Sequence, residues 1–106
     1  MNKKSNTKVP ADIKIQVEEL VTDFNKKNQT DYVARFRGIY VYFDRVSMRG
    51  PVFRLKFSGD VTQWDFAIYK YSSESYDPNE WVFPGSELVN GTVEGAMKAG
   101  LQAYPV

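Results

Sequence analysis

Cations and tyrosines recur at a spacing of two along the middle of this chain: Arg35 and Arg37, Tyr40 and Tyr42, Arg54 and Lys56, and finally Tyr69. In an extended strand, residues two apart share a face. Guanidinium and ammonium groups on one face can track phosphates, while phenol rings offer flat surfaces on which bases stack. That is the chemistry of binding single-stranded nucleic acid without much sequence preference. The same residues can stabilise a solvated sheet with no ligand, through cross-strand pairing and cation–π contact. A second group, Tyr76, Trp81 and Phe83, sits in a long connection from Ser72 to Gly91. Connections of that length in a compact domain are functional or packed on themselves. These aromatics are therefore candidates for a small-molecule site under the loop, or for a satellite of the core.

Catalytic chemistry has little to work with. The chain has no histidine and no cysteine, which removes the Ser-His-Asp and Cys-His arrangements, the common zinc sites, disulfides and the ordinary neutral-pH proton shuttle. Catalysis would rest on Asp44, Asp65, Asp77 and Glu80 with Arg or Tyr helpers, and no spacing pairs two of these as acid and base. No phosphate-cradling loop, dinucleotide fingerprint or nucleophile elbow occurs. The expectation is a protein that is not an enzyme, with no cofactor and no metal.

Positioning the basic tyrosine face falls to Tyr32–Tyr71, which reads as four strands. Tyr32, Ala34 and Phe36, then Ile39, Val41 and Phe43, then Phe53, Leu55 and Phe57, then Trp64, Phe66 and Ile68 form the apolar face. This register places a two-residue hairpin loop at Arg37-Gly38 with Phe36 opposite Ile39. The other face carries Val33, Arg35, Arg37, Tyr40, Tyr42, Asp44, Val52, Arg54, Lys56, Asp65, Ala67, Tyr69 and Tyr71. Before the strands, Ile13, Val17, Leu20, Val21 and Phe24 recur at helical spacing from Pro10 to about Lys27. After them, Thr92 caps a last helix to about Tyr104, whose Gly95, Ala96, Ala99, Gly100 and Ala103 predict close approach to the sheet or to another chain. Inside the long connection, Asp77-Pro78-Asn79-Glu80 predicts one helical turn presenting Trp81.

Residues 1–9, with Lys3, Lys4 and Lys8 and little to bury, are expected to be a flexible basic tail, and 10–106 a single domain. No stretch approaches the ~20 apolar residues that span a bilayer, so no membrane association and a cytoplasmic location are expected. Net charge is +1, but thirteen Lys and Arg face eight Asp and Glu up to Lys70, against one and five beyond it. The acidic last third can neutralise the basic sheet from within.

Arg37-Gly38-Ile39-Tyr40-Val41-Tyr42-Phe43 begins like the aromatic strand motif of RNA-recognition motifs but departs from it at Ile39 and Tyr40. The double-stranded-RNA-binding arrangement fails at Thr92-Val93-Glu94-Gly95-Ala96-Met97-Lys98, where lysines are wanted. The segments Trp64-Asp65-Phe66-Ala67-Ile68-Tyr69-Lys70-Tyr71-Ser72, Tyr76-Asp77-Pro78-Asn79-Glu80-Trp81 and Gly91-Thr92-Val93-Glu94-Gly95-Ala96 together resemble a family of small uncharacterised bacterial proteins. That resemblance implies no activity, cofactor or binding residue.

These readings predict an α+β fold in the order α-β-β-β-β-α: a two-layer domain with a four-stranded antiparallel sheet and both helices on its apolar face. The function expected is a non-catalytic binding or assembly module, self-associating or meeting a protein partner through the open sheet face or an edge strand. Single-stranded nucleic acid on the basic face and a small molecule under the 72–91 loop are the alternatives.

Overall fold

The computed structural model describes residues 8–105. It is an α+β fold in which helix α1 (Ala11–Asn28) precedes strands β1 (Tyr32–Arg37), β2 (Tyr40–Arg45), β3 (Gly50–Lys56), β4 (Asp65–Lys70) and β5 (Ser75–Asp77). A 3-10 turn (Ser86–Leu88) and helix α2 (Val93–Ala103) follow. The strands form an antiparallel meander in the order β1-β2-β3-β4-β5, so the sheet has five strands rather than four. β5 escapes a reading by alternation because it is three residues long and has no apolar set. Among the described residues no helix is long and apolar enough to cross a membrane.

The apolar faces are largely where alternation puts them. Tyr32, Val41, Phe43, Phe53, Leu55, Phe57, Trp64, Phe66 and Ile68 are buried together with Val17, Val21 and Phe24 of α1 and Val93, Ala96 and Met97 of α2. Leu20, expected in the helix stripe, is instead exposed. The first hairpin turns at Gly38-Ile39, one position later than expected, and pairs Phe36 with Val41 and Arg37 with Tyr40. Because the pairing moves by two residues, every side chain keeps its face. Gly38 supplies the positive φ, 60°, that such a turn requires.

Val52 is a correction. The register runs Phe43↔Phe53 and then Asp44↔Pro51, a bulge that leaves Val52 unpaired and turns it inward with Phe53. Val52 is buried in the core rather than on the basic face. Ala67 keeps its expected face but is buried there, a methyl among larger side chains.

α2 shows why its sequence is so short of side chains. Thr92 Oγ1 accepts from Gly95 N–H at 3.0 Å, capping the helix. A Cβ on Gly100 would stand 2.8 Å from Val52 Cγ1 and overlap the Tyr32 hydroxyl. That hydroxyl donates to Met97 O at 2.8 Å, tying strand to helix. At the other end, Val9, expected in a free tail, is 1% exposed and donates its N–H to Gly38 O at 2.9 Å. The rest of that expected tail, 1–7, lies outside the described residues.

Candidate functional site

The face opposite the core is a packed layer of rings and guanidinium groups. Arg35 Nε and Nη2 donate to Asp44 at 2.7 and 3.2 Å, and the same guanidinium lies 5.3 Å from the centre of the Tyr42 ring. Tyr42 leans on Tyr76, centroids 5.3 Å apart, and Tyr76 meets Tyr69 at 5.0 Å and 70°. Arg54 spreads over Tyr40 at 4.7 Å and over Tyr76 at 5.5 Å. Tyr76, expected in the loop group, is therefore at the centre of the sheet face, because β5 sets it opposite Tyr69 in register. Burial first, and then the nearby Asp44 charge, push its hydroxyl up to about 12. It stays protonated and can donate, but it is no base near neutral pH.

The ion pairs among the described residues take up Arg35, Arg45, Lys70 and Lys98. They leave Arg54, Lys56 and Arg37 without a carboxylate within 4.0 Å. Arg37 stands at the hairpin end, exposed. Arg54 and Lys56 face a groove of about 540 Å³ that crosses the edge of β4, with Tyr40 and Asp65 on the same side and Trp81 and Pro78 across from them.

Three local features make this groove. β5 pairs with β4 only over Ile68, Tyr69 and Lys70, and Pro78 ends it there. Trp64 N–H donates outward to Gly91 O at 2.8 Å, so by alternation the peptide groups of Phe66 also point to the uncovered edge. Finally, Lys70 Nζ holds Glu80 Oε1 at 3.0 Å and Asp77 Oδ2 at 3.6 Å, while Glu80 Oε2 accepts from Val82 N–H at 3.1 Å. These contacts set Trp81 beside the edge, 6.1 Å from the Phe66 ring and 49% exposed. The expected helical turn at 77–80 is instead a β-turn in which Asp77 Oδ1 accepts from Asn79 N–H at 2.9 Å.

The loop aromatics thus part company. Phe83 stacks on Phe66 at 5.8 Å and joins the core, whereas Trp81 displays its indole. Trp64, a buried wall of the groove, has an indole N–H with no acceptor among the described residues.

Three of the four candidate carboxylates, Asp44, Asp77 and Glu80, lie in ion pairs. Asp44 and Glu80 are held by Arg35 and Lys70, and Glu80 lies below its ordinary value of 4.5 through the Lys70 hydrogen bond. An acid poised to donate at neutral pH would lie above that value. Among the described residues no three metal-ligating side chains come together. The structure thus brings Tyr40, Arg54, Lys56 and Trp81 together, leaves Arg37 apart, and absorbs Arg35, Tyr42, Tyr69 and Tyr76 into a packed layer. Gln63, Asn90 and Gly91 complete the groove without any periodic signal in the sequence. Only Gly91, with φ 90° and a Cβ position 2.5 Å from Thr62 O, marks a tight passage there.

Comparisons with protein-family models, with curated proteins and with solved structures find no significant match to this chain.

Proposed function

We propose that the chain is a non-catalytic binding module, and that its ligand is a small anion carrying a flat ring, taken in the groove between Trp81 and β4. One observation carries the reading: the Arg54 guanidinium sits over two tyrosine rings, has no carboxylate within 4.0 Å among the described residues, and opens into a cavity beside a half-exposed indole. A guanidinium held by cation–π contact has N–H groups to offer an incoming carboxylate, sulfonate or phosphate. Lys56 adds a second cation, and Asp65 at the rim offsets one of them. About 540 Å³ falls within the roughly 300–1,000 Å³ usual for small-molecule sites.

A track for single-stranded nucleic acid along the whole face has less support. Its tyrosines lean on one another rather than offering free faces, and Arg35 is committed to Asp44. A single nucleotide unit remains within the proposed ligand class. The proposal also takes the domain as two-layered, with both helices on the Tyr32, Phe43 and Phe53 face; the Tyr32–Met97 bond and the Gly100 approach support that arrangement. This leaves the Arg54 face to ligands.

Calorimetric titration with adenosine monophosphate and with 1-naphthalenesulfonate, each beside its uncharged counterpart, tests the reading. The anions should bind and the neutral compounds should not. Arg54→Ala and Trp81→Ala should each weaken binding about tenfold or more, the worth of one charged hydrogen bond or one stacked ring. Arg37→Ala should leave it unchanged. Absence of binding at millimolar ligand, or binding indifferent to Arg54→Ala, would overturn it.

A further inference from the structure

Alternation also fixes which peptide groups are open at the opposite edge of the sheet. Val46 N–H donates to Asp31 O at 3.2 Å, so Val33, Arg35 and Arg37 turn their peptide groups toward β2 as well. Tyr32, Ala34 and Phe36 turn theirs outward. Asn25 closes the first of these: its side-chain amide donates to Tyr32 O and accepts from Tyr32 N–H, both at 2.9 Å. Past the other end, Gly38 O accepts from Val9 N–H at 2.9 Å. Between these closed positions, the N–H and C=O groups of Ala34 and Phe36 have no partner among the described residues. Such an edge is a template for one more strand.

We infer that this strand is β1 of a second copy, antiparallel, with the two-fold axis through Arg35. That register sets Ala34 opposite Phe36 and Phe36 opposite Ala34, each pair exchanging two main-chain bonds, while the closed positions Tyr32 and Gly38 face each other and the ladder ends before them. An axis through Ala34 would set Phe36 against the capped Tyr32, and an axis through Phe36 would set Ala34 against Gly38.

The charges beside the edge agree with this register. α1 runs along the edge with Lys14 Nζ 5.6 Å from the centre of the Phe36 ring and Glu18 at a recess shared with Ala34. Neither makes an ion pair within the described residues. The axis brings Lys14 of each copy toward Glu18 of the other. Ile15, 59% exposed, lies seven residues before Thr22 of that recess, on the same side of α1, and adds apolar surface. Arg35 meets its own copy, but each is bound to its own Asp44 and arrives as a neutral pair. The groove at β4 stays open in this dimer because it lies at the other edge of the sheet.

Sedimentation velocity across micromolar to millimolar concentrations tests the inference. The mass should rise toward twice that of the monomer. Ala34→Pro should hold the protein monomeric without unfolding it, since the Ala34 N–H has no partner among the described residues and proline is tolerated on an edge; far-UV circular dichroism checks the fold. Independently, Lys14→Glu or Glu18→Lys should weaken association about tenfold, because each change acts twice by symmetry, and the double exchange should restore it. A wild-type monomer at millimolar concentration, a dimer unaffected by Ala34→Pro, or a double exchange without rescue would each overturn the inference.

Discussion

Gly100→Ala probes the contact by which α2 is seated on the sheet. In an exposed helix the change is favourable by about 1 kcal/mol. Here the added methyl would stand 2.8 Å from Val52 Cγ1 and 3.3 Å from Phe53 Cδ2, and it would occupy the place of the Tyr32 hydroxyl. Val52 and Phe53 are wholly buried, so they have no solvent into which to retreat. Overpacking of this kind costs about 1–3 kcal/mol. Displacing the Tyr32 hydroxyl also strips Met97 O of its buried donor at 2.8 Å, a further ~1–3 kcal/mol. The losses exceed the propensity gain, and the net expectation is destabilisation by about 1–5 kcal/mol. At roughly 4–8 °C per kcal/mol for a domain near this size, thermal melts followed by circular dichroism will resolve it. The same substitution in a Tyr32→Phe background should cost less, because the hydroxyl it collides with is gone. A Tm raised by Gly100→Ala would refute the close approach, and an unchanged cost in the Tyr32→Phe background would refute the part assigned to the hydroxyl.

Asp31→Asn should destabilise the fold by about 1.5–3 kcal/mol in urea denaturation, because Arg45, 7% exposed, would lose the only carboxylate paired with it among the described residues. Burial works against ionisation of Asp31, but the Ser47 hydroxyl and N–H and the Arg45 charge bring it below its ordinary 3.8; its stabilisation is present above 3.8 and lost as pH falls through the lower folded value, so the variant should flatten that part of the acid limb. Glu80, held below 4.5 by Lys70, should release the Trp81 loop in the same sense as pH falls through its own lower folded value. Tryptophan fluorescence should report this as a red shift that Glu80→Gln produces already at neutral pH, and an unshifted Glu80→Gln spectrum would count against the tether.

Period-two alternation marked Phe43, Phe53, Leu55, Phe57, Phe66 and Ile68 as one face, and helical spacing marked Val17, Val21 and Phe24. Both are properties of consecutive residues, so they survive even a hairpin turn placed one residue early. The cap at Thr92 and the bare surface of α2 were likewise readable, since each depends on residue type at a fixed offset. Val52 was not. A bulge depends on how β3 pairs with β2, and one extra residue reverses the face of the side chain it carries. β5 was not readable either, because three residues without an apolar set become a strand only when β4 lies beside them and Tyr76 finds Tyr69 and Tyr42. The sequence by itself determined most of the side chains that avoid water, Val9, Val52 and Ala67 excepted, and which cations and rings share a face. Tertiary structure decided which of those cations are spent on Asp44 and which, like Arg54, are left facing a groove, because that depends on where β5 stops and where the chain returns with Trp81.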